Sequence, residues 1–154
     1  MRKLNPDHVA AVQKMVNHCP FFTLLSMDIL SLDPCRSLLK IEIKEKHLQP
    51  YGMVHGGVYS SMIDAACFWA GYTEVEEPLG LITVEMKLNY LSPASEGIFL
   101  AEGSVIKTGK TLCLSEAFVR DQEERLLAHG TATMMVLRSL EIQGQSRLPA
   151  KFLH

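Results

Sequence analysis

The sequence has little that would tie it to a disulfide framework, a metal or a membrane. Its four cysteines, Cys19, Cys35, Cys67 and Cys113, stand 16, 32 and 46 residues apart with no C-x-x-C pair. Free thiols in a reducing, cytoplasmic setting are the simplest reading. The six histidines form neither H-x-x-x-H nor H-E-x-x-H, so no metal site is expected. No apolar run approaches the roughly 18 residues of a membrane span. The opening Met1-Arg2-Lys3-Leu4-Asn5-Pro6-Asp7 lacks the apolar stretch of a signal peptide. An excess of one charge is missing as well: 15 basic against 17 acidic side chains leave −2, not segregated into either half, which argues against a nucleic-acid partner.

What is present suits one globular domain spanning residues 1–154. Hydrophobic residues make up 47% and charged residues 21%, close to the globular average. Asn5-Pro6-Asp7 can cap a helix through about residue 19, with Val9, Val12, Met15 and Val16 at helical spacing before Pro20. Leu25 to Lys44 reads as extended with a turn at Asp33-Pro34, and Leu39, Ile41 and Ile43 alternate with charged residues. Gly56-Gly57 then opens an apolar stretch, Val58 to Ala70, that reads as a helix buried nearly all round. Strands follow at Ile82–Tyr90, Ile98–Ile106, Thr111–Arg120 and Leu126–Leu137, separated by turns. The tail, 138–154, is mixed in composition and is expected to be loosely held. One buried helix among about six strands predicts an α+β domain, a curved antiparallel sheet wrapped around a long central helix.

Asp64 is the residue this pattern leaves unexplained. A carboxylate in the middle of an apolar helix is costly to bury unless it is paired or hydrogen-bonded. Ser60 and Ser61 lie beside it at helical spacing and form a polar stripe running back toward Gly57. Asp64 is therefore either a structural carboxylate held by those hydroxyls or by a partner subunit, or a general base or nucleophile. His55-Gly56-Gly57 sits at the mouth of the same helix. There unsatisfied N–H groups and positive partial charge can polarise a carbonyl oxygen, although a tight turn alone would also call for glycine.

The combination is more specific than its parts. Gly52-Met53-Val54-His55-Gly56-Gly57, with Asp64 nine residues after the histidine and Ala65-Ala66 behind it, resembles the signature of hotdog-fold acyl-CoA thioesterases of the phenylacetate-pathway (PaaI-like) group. Thr83–Ala94, Lys107-Thr108-Gly109-Lys110 and Leu127–Ala132 are similar to that family's later strand and hairpins, so the resemblance covers residues 20–137.

The resemblance implies a hotdog fold and hydrolysis of an acyl- or aryl-CoA to a free acid and CoA, with no metal or redox cofactor. It makes the Gly56 N–H an oxyanion donor and Asp64 the general base or nucleophile, with His55, Gln49 and Thr83 in support. Many members carry an asparagine where this chain has Gln49, whose amide reaches one methylene further. By strand parity Thr83 falls opposite Ile82, Val84 and Met86, away from the face assigned to the helix. Gly57, Lys107, Gly109 and Lys110 are the candidates for the CoA moiety. The acyl chain would run near Met53, Val54, Tyr59, Met62 and Phe68. Carboxylate and glycine would come from different subunits, requiring a homodimer, with a homotetramer usual. A non-catalytic acyl-CoA-binding module, or a hotdog hydratase or dehydratase, is the alternative.

Overall fold

The computed structural model describes residues 2–153. In chain order the elements are β1 (Lys3–Leu4), α1 (Pro6–Asn17), α2 (Pro20–Leu25), β2 (Met27–Asp33), β3 (Arg36–Glu42), α3 (Gly56–Tyr72), β4 (Gly80–Tyr90), β5 (Ile98–Thr108), β6 (Leu112–Arg120), β7 (Leu126–Leu137) and β8 (Phe152–Leu153). Six strands form one antiparallel sheet in the order β2-β3-β5-β6-β7-β4. The sheet wraps α3, which packs against β2 through β7: the hotdog fold. Among the described residues no helix is long and apolar enough to cross a membrane.

The N-terminal helical region is two helices rather than one. Asn5 caps α1 by accepting from the Asp7 N–H at 3.1 Å. Pro20, which cannot continue α1, stands instead at the start of α2, where its missing N–H costs nothing.

The core lies between α3 and the concave face of the sheet. Met62, Ile63, Ala66, Cys67 and Ala70 meet Leu39, Ile41, Phe99, Ala101, Ala117 and Met134, all fully buried. The helix approaches so closely that a Cβ on Gly103 would stand 2.1 Å from the Ala66 carbonyl oxygen and 2.6 Å from Ser37 Oγ. Ser37 in turn donates to that carbonyl at 2.6 Å. The helix is not buried all round, however. Ser60, Ser61, Asp64, Ala65 and Phe68 are only partly covered, and they form a seam along β4.

The chain after β7 is pinned down, against the loose tail expected from composition. β8 pairs with β1. Asn5 N–H donates to the Lys151 carbonyl at 2.9 Å and Asn5 Nδ2 to the Ala150 carbonyl at 2.8 Å. Buried His8 contacts the Pro149 carbonyl through Nδ1 at 2.7 Å and Tyr72 Oη through Nε2 at 2.8 Å. A carbonyl can only accept, so Nδ1 carries a proton and donates it to Pro149. Lys151 is 1% exposed; its Nζ donates to the Val75 carbonyl and stands 3.7 Å from the centre of the Tyr72 ring.

Two outcomes test these contacts. A methyl group at Gly103 has backbone in its way, so Gly103→Ala is expected to cost about 3 kcal/mol and to lower Tm by roughly 10 °C in a thermal melt. Burial pushes the Lys151 pKa down to about 7, with Glu77 and Glu74 opposing the fall. An unfolded lysine titrates near 10.4. Between about pH 7 and 10 the unfolded chain therefore binds the extra proton, and stability rises with pH. The Tm difference between the parent protein and Lys151→Met is expected to move in the parent's favour from pH 7 to pH 9.5. A flat difference would contradict the assignment.

Candidate functional site

The chain enters α3 through a turn that leaves one amide free. Gln49 N–H donates to the Met53 carbonyl at 2.7 Å and Gly52 N–H to the Gln49 carbonyl at 2.9 Å, with Gly52 at a φ of +78°. Buried His47 orders the approach, its carbonyl accepting from the His55 N–H at 2.8 Å. His55 is the N-cap residue, and its Nδ1 accepts from the Gly57 N–H at 2.8 Å. Val58 N–H is taken by the His55 carbonyl at 2.9 Å. Among the described residues the Gly56 N–H has no acceptor, at a helix end where the peptide dipoles place positive partial charge. Tyr90 lies over Gly56: an added Cβ would be 2.9 Å from Tyr90 Oη, the tip of an exposed side chain that can shift aside, and that hydroxyl donates to the Gly56 carbonyl at 3.3 Å. Tyr90 had no role in the motif reading; its wide strand spacing from Gly56 gives no local signal.

Asp64 is held across the seam. Thr83 Oγ1 donates to Asp64 Oδ1 at 2.8 Å. This corrects the parity argument, which turned Thr83 away from the helix. The register of β4 on β7 shifts between Thr83 and Glu85, so Val84 is the extra residue of a bulge that reverses the alternation. Before the bulge Leu81 and Thr83 face α3, while Ile82 and Val84 turn outward, 49% and 52% exposed. After it Met86 and Leu88 pack against the core. Nor do the serines hold Asp64: Ser60 Oγ and Ser61 Oγ both donate to the Gly57 carbonyl, at 3.0 Å and 2.7 Å.

The remaining sequence candidates do not converge on Asp64 within one chain. Eight residues of α3 put Gly56 about 12 Å from Asp64 along the axis. Gln49 Oε1 accepts from the Tyr51 N–H. Gln49, Met53, Val54, Tyr59, Tyr90 and Ser92 line a cleft of about 300 Å³ at the helix N-terminus. The Tyr59 hydroxyl is buried there with no partner among the described residues. Burial pushes its pKa up, Arg125 pulling against the rise. Met62 is fully buried in the core. Lys107, Gly109 and Lys110 are exposed on the β5–β6 hairpin. The seam between α3 and β4 thus runs from Tyr90 at Gly56, past the Asp64–Thr83 pair, to Phe68 and Leu81 beyond it.

Comparison with known proteins agrees with this geometry. A family model described as the thioesterase superfamily matches residues 51–128, just over half of the 154, from the loop before α3 into β7. The 1,4-dihydroxy-2-naphthoyl-CoA hydrolase of Listeria monocytogenes is 26% identical over 73% of this chain and 91% of its own. Acyl-coenzyme A thioesterase 13 of Mus musculus is 25% identical over 82% and 93%. The crystal structure of a thioesterase family protein from Silicibacter pomeroyi is 32% identical, with a TM-score of 0.75 over 82% of this chain and 95% of that one. With its helix-end glycines, its seam carboxylate and strands β4 to β6 all inside the matched region, the chain belongs to the thioesterase superfamily.

Proposed function

We propose that this chain hydrolyses an acyl- or aryl-CoA thioester to a free acid and CoA, in the manner of the PaaI-like group, at a site shared between two copies. The observation that carries the proposal is the pairing of a held carboxylate with a free helix-end amide too distant to serve it in the same chain. One carbonyl group cannot meet both the Gly56 N–H and a water on Asp64 of one protomer across about 12 Å. It can meet Asp64 of one and Gly56 of another.

The groups then divide the reaction. Asp64 Oδ2, left free by the Thr83 bond to Oδ1, takes a proton from water as the oxygen attacks the thioester carbon. With its hydroxyl hydrogen directed at Asp64, the Thr83 oxygen still has lone pairs that accept from, and orient, the same water. The carbonyl oxygen gains charge as the C–O bond forms, and the partner copy's helix-end amide stabilises it. Collapse breaks the C–S bond, and the proton on Asp64 passes to the departing sulfur. In the alternative course Oδ2 itself attacks the thioester carbon, the C–S bond breaks to release CoA as thiolate, and water opens the resulting mixed anhydride to free the acid and restore Asp64. His55 fixes the helix start and Gln49 borders the cleft for the thiol arm. Lys107, Gly109 and Lys110 would meet the CoA phosphates, with Gly57 beside the oxyanion amide. Outward-facing apolar side chains support association: Ile82 pairs with Met135 and Met135 with Leu112, all three between 41% and 49% exposed. Such a patch is typical of an interface, consistent with a dimer and a dimer of dimers in a reducing cytoplasm.

Release of free thiol from a panel of acyl-CoAs is the test. The parent protein is expected to release CoA, and Asp64→Ala to fall at least about 100-fold while keeping its mass by light scattering. Gly56→Pro deletes the free amide at the first helical position, where proline fits, and is expected to be equally impaired. Random pairing of these two variants makes half the dimers mixed, with one intact site in two, so about a quarter of the parental rate should return. A folded Asp64→Ala protein working at the parental rate, or a parent that saturates with acyl-CoA without releasing thiol, would sink the reading; the second result would favour the binding module.

A further inference from the structure

We propose that the acyl end of the thioester occupies the pocket at the Phe68 end of the α3–β4 seam, and that the segment following β7 is the wall that limits its length. The inference rests on the hydrolase reading above for the identity of the ligand, and on separate geometry for its place.

The pocket lies one helical turn from the carboxylate. Phe68 is one helical turn beyond Asp64, about 6 Å along the axis. Leu81 is two residues before Thr83 on the same face of β4, about 7 Å away. Both line a pocket of about 200 Å³, together with Tyr72, Leu79 and Gly80. Its last wall belongs to the chain after β7: Leu140, Ile142 and Gln145, with exposed Glu141 between the two apolar side chains in sequence. A water activated on Asp64 attacks a carbon about 3 Å away. The seam gives the rest of the acyl group a path away from that carbon, and the Phe68 end offers it Phe68, Leu79, Leu81, Leu140 and Ile142. The other end offers Gln49, Ser92 and two tyrosines, hydrogen-bonding groups that suit the amide-bearing thiol arm.

The size and firmness of the wall set the substrate class. A cavity of about 150 Å³ takes one benzene ring, so about 200 Å³ accommodates a single ring or a short branched chain and leaves the rest of a long one unburied. The wall is built in rather than draped. Leu140 crosses directly over Gly80, where any Cβ would be 2.5 Å from the Leu140 carbonyl oxygen and 2.6 Å from its Cβ. Ile142 packs against the core, and its N–H donates to Gln145 Oε1 at 3.1 Å. Downstream, Pro149, Ala150 and Lys151 are tied to His8, Asn5 and Val75. The segment cannot swing away without breaking those contacts.

The experiment uses the full chain, Ile142→Trp to fill the pocket, and Leu140→Ala with Ile142→Ala to open it. Acetyl-, hexanoyl-, benzoyl- and decanoyl-CoA are compared by thiol release, and the corresponding uncleavable thioethers by calorimetry. The parent is expected to favour benzoyl- or hexanoyl-CoA over decanoyl-CoA by at least tenfold in kcat/KM. Ile142→Trp should lower the benzoyl-to-acetyl ratio about tenfold or more, and the double alanine variant should raise the decanoyl-to-benzoyl ratio by a similar factor. Thioether affinities should follow the same order. If the parent cleaves thioesters but neither variant moves these ratios, the pocket is wrong and the hydrolase reading stands. If the thioethers bind in the expected order while no thioester is cleaved, the pocket stands and the hydrolase reading falls. Equal thioether affinities for the parent and Ile142→Trp overturn the pocket whatever the rates.

Discussion

The site depends on the spacing between α3 and the sheet, tight along one side of the helix and open along the other. On the tight side Gly103 lets the Ala66 backbone approach until only a hydrogen bond from Ser37 fits between them. Fully buried methyl and thioether groups fill what space remains. Because that side cannot slide or rotate without steric clash, the opposite side of α3 is fixed too. There the helix shows Asp64 to β4 at hydrogen-bond distance of a threonine and nowhere closer to the core. A carboxylate one residue earlier would be Ile63, which is fully buried, and an ion there would cost several kcal/mol.

The bulge at Val84 is the matching device on the strand. Without it, an unbroken alternation from Tyr90 backward would point Ile82 and Val84 at the helix and leave Asp64 facing two hydrocarbons. The extra residue lets Tyr90 cover Gly56 while Thr83 still reaches Asp64. One edge strand thereby serves both ends of the seam. The outward turn of Ile82 and Val84 is the cost, since it exposes apolar surface that a second copy is suited to cover. The local irregularity that completes the carboxylate's hydrogen bond thus also creates surface favouring association.

These relations explain what could and could not be read in advance. The six strands, the central helix and its glycine-rich start were legible because each rests on a local signal: alternation, a turn residue, or a stretch without charge. Asp64 was legible as the one ion in that stretch. Thr83 was placed on the wrong face because a bulge at Val84, between Thr83 and Glu85, leaves the alternation of Ile82, Val84, Met86 and Leu88 unbroken on paper. Register is a pairing property, and it shows only when β7 lies alongside. The serines looked like partners of Asp64 by helical spacing, yet a nearer acceptor, the Gly57 carbonyl, satisfies both.

The segment after β7 was misread for a different reason, and that reason bears on what it can do. Periodicity detects attachment through a regular apolar face, and in residues 138–151 the side chains that pack on the core, Ile142 and Leu148, stand singly. The rest of the attachment is polar: carbonyls of Pro149 and Ala150 received by His8 and Asn5, and a lysine nitrogen on the Val75 carbonyl. Hydrogen bonds in partly buried surroundings hold position without consuming hydrocarbon surface. A strand or helix anchored by its apolar face would have to turn Leu140 and Ile142 into the core. Held by its backbone at the far end, the segment can leave them half covered, and side chains so placed can line a pocket beside Asp64 while remaining part of a fixed wall.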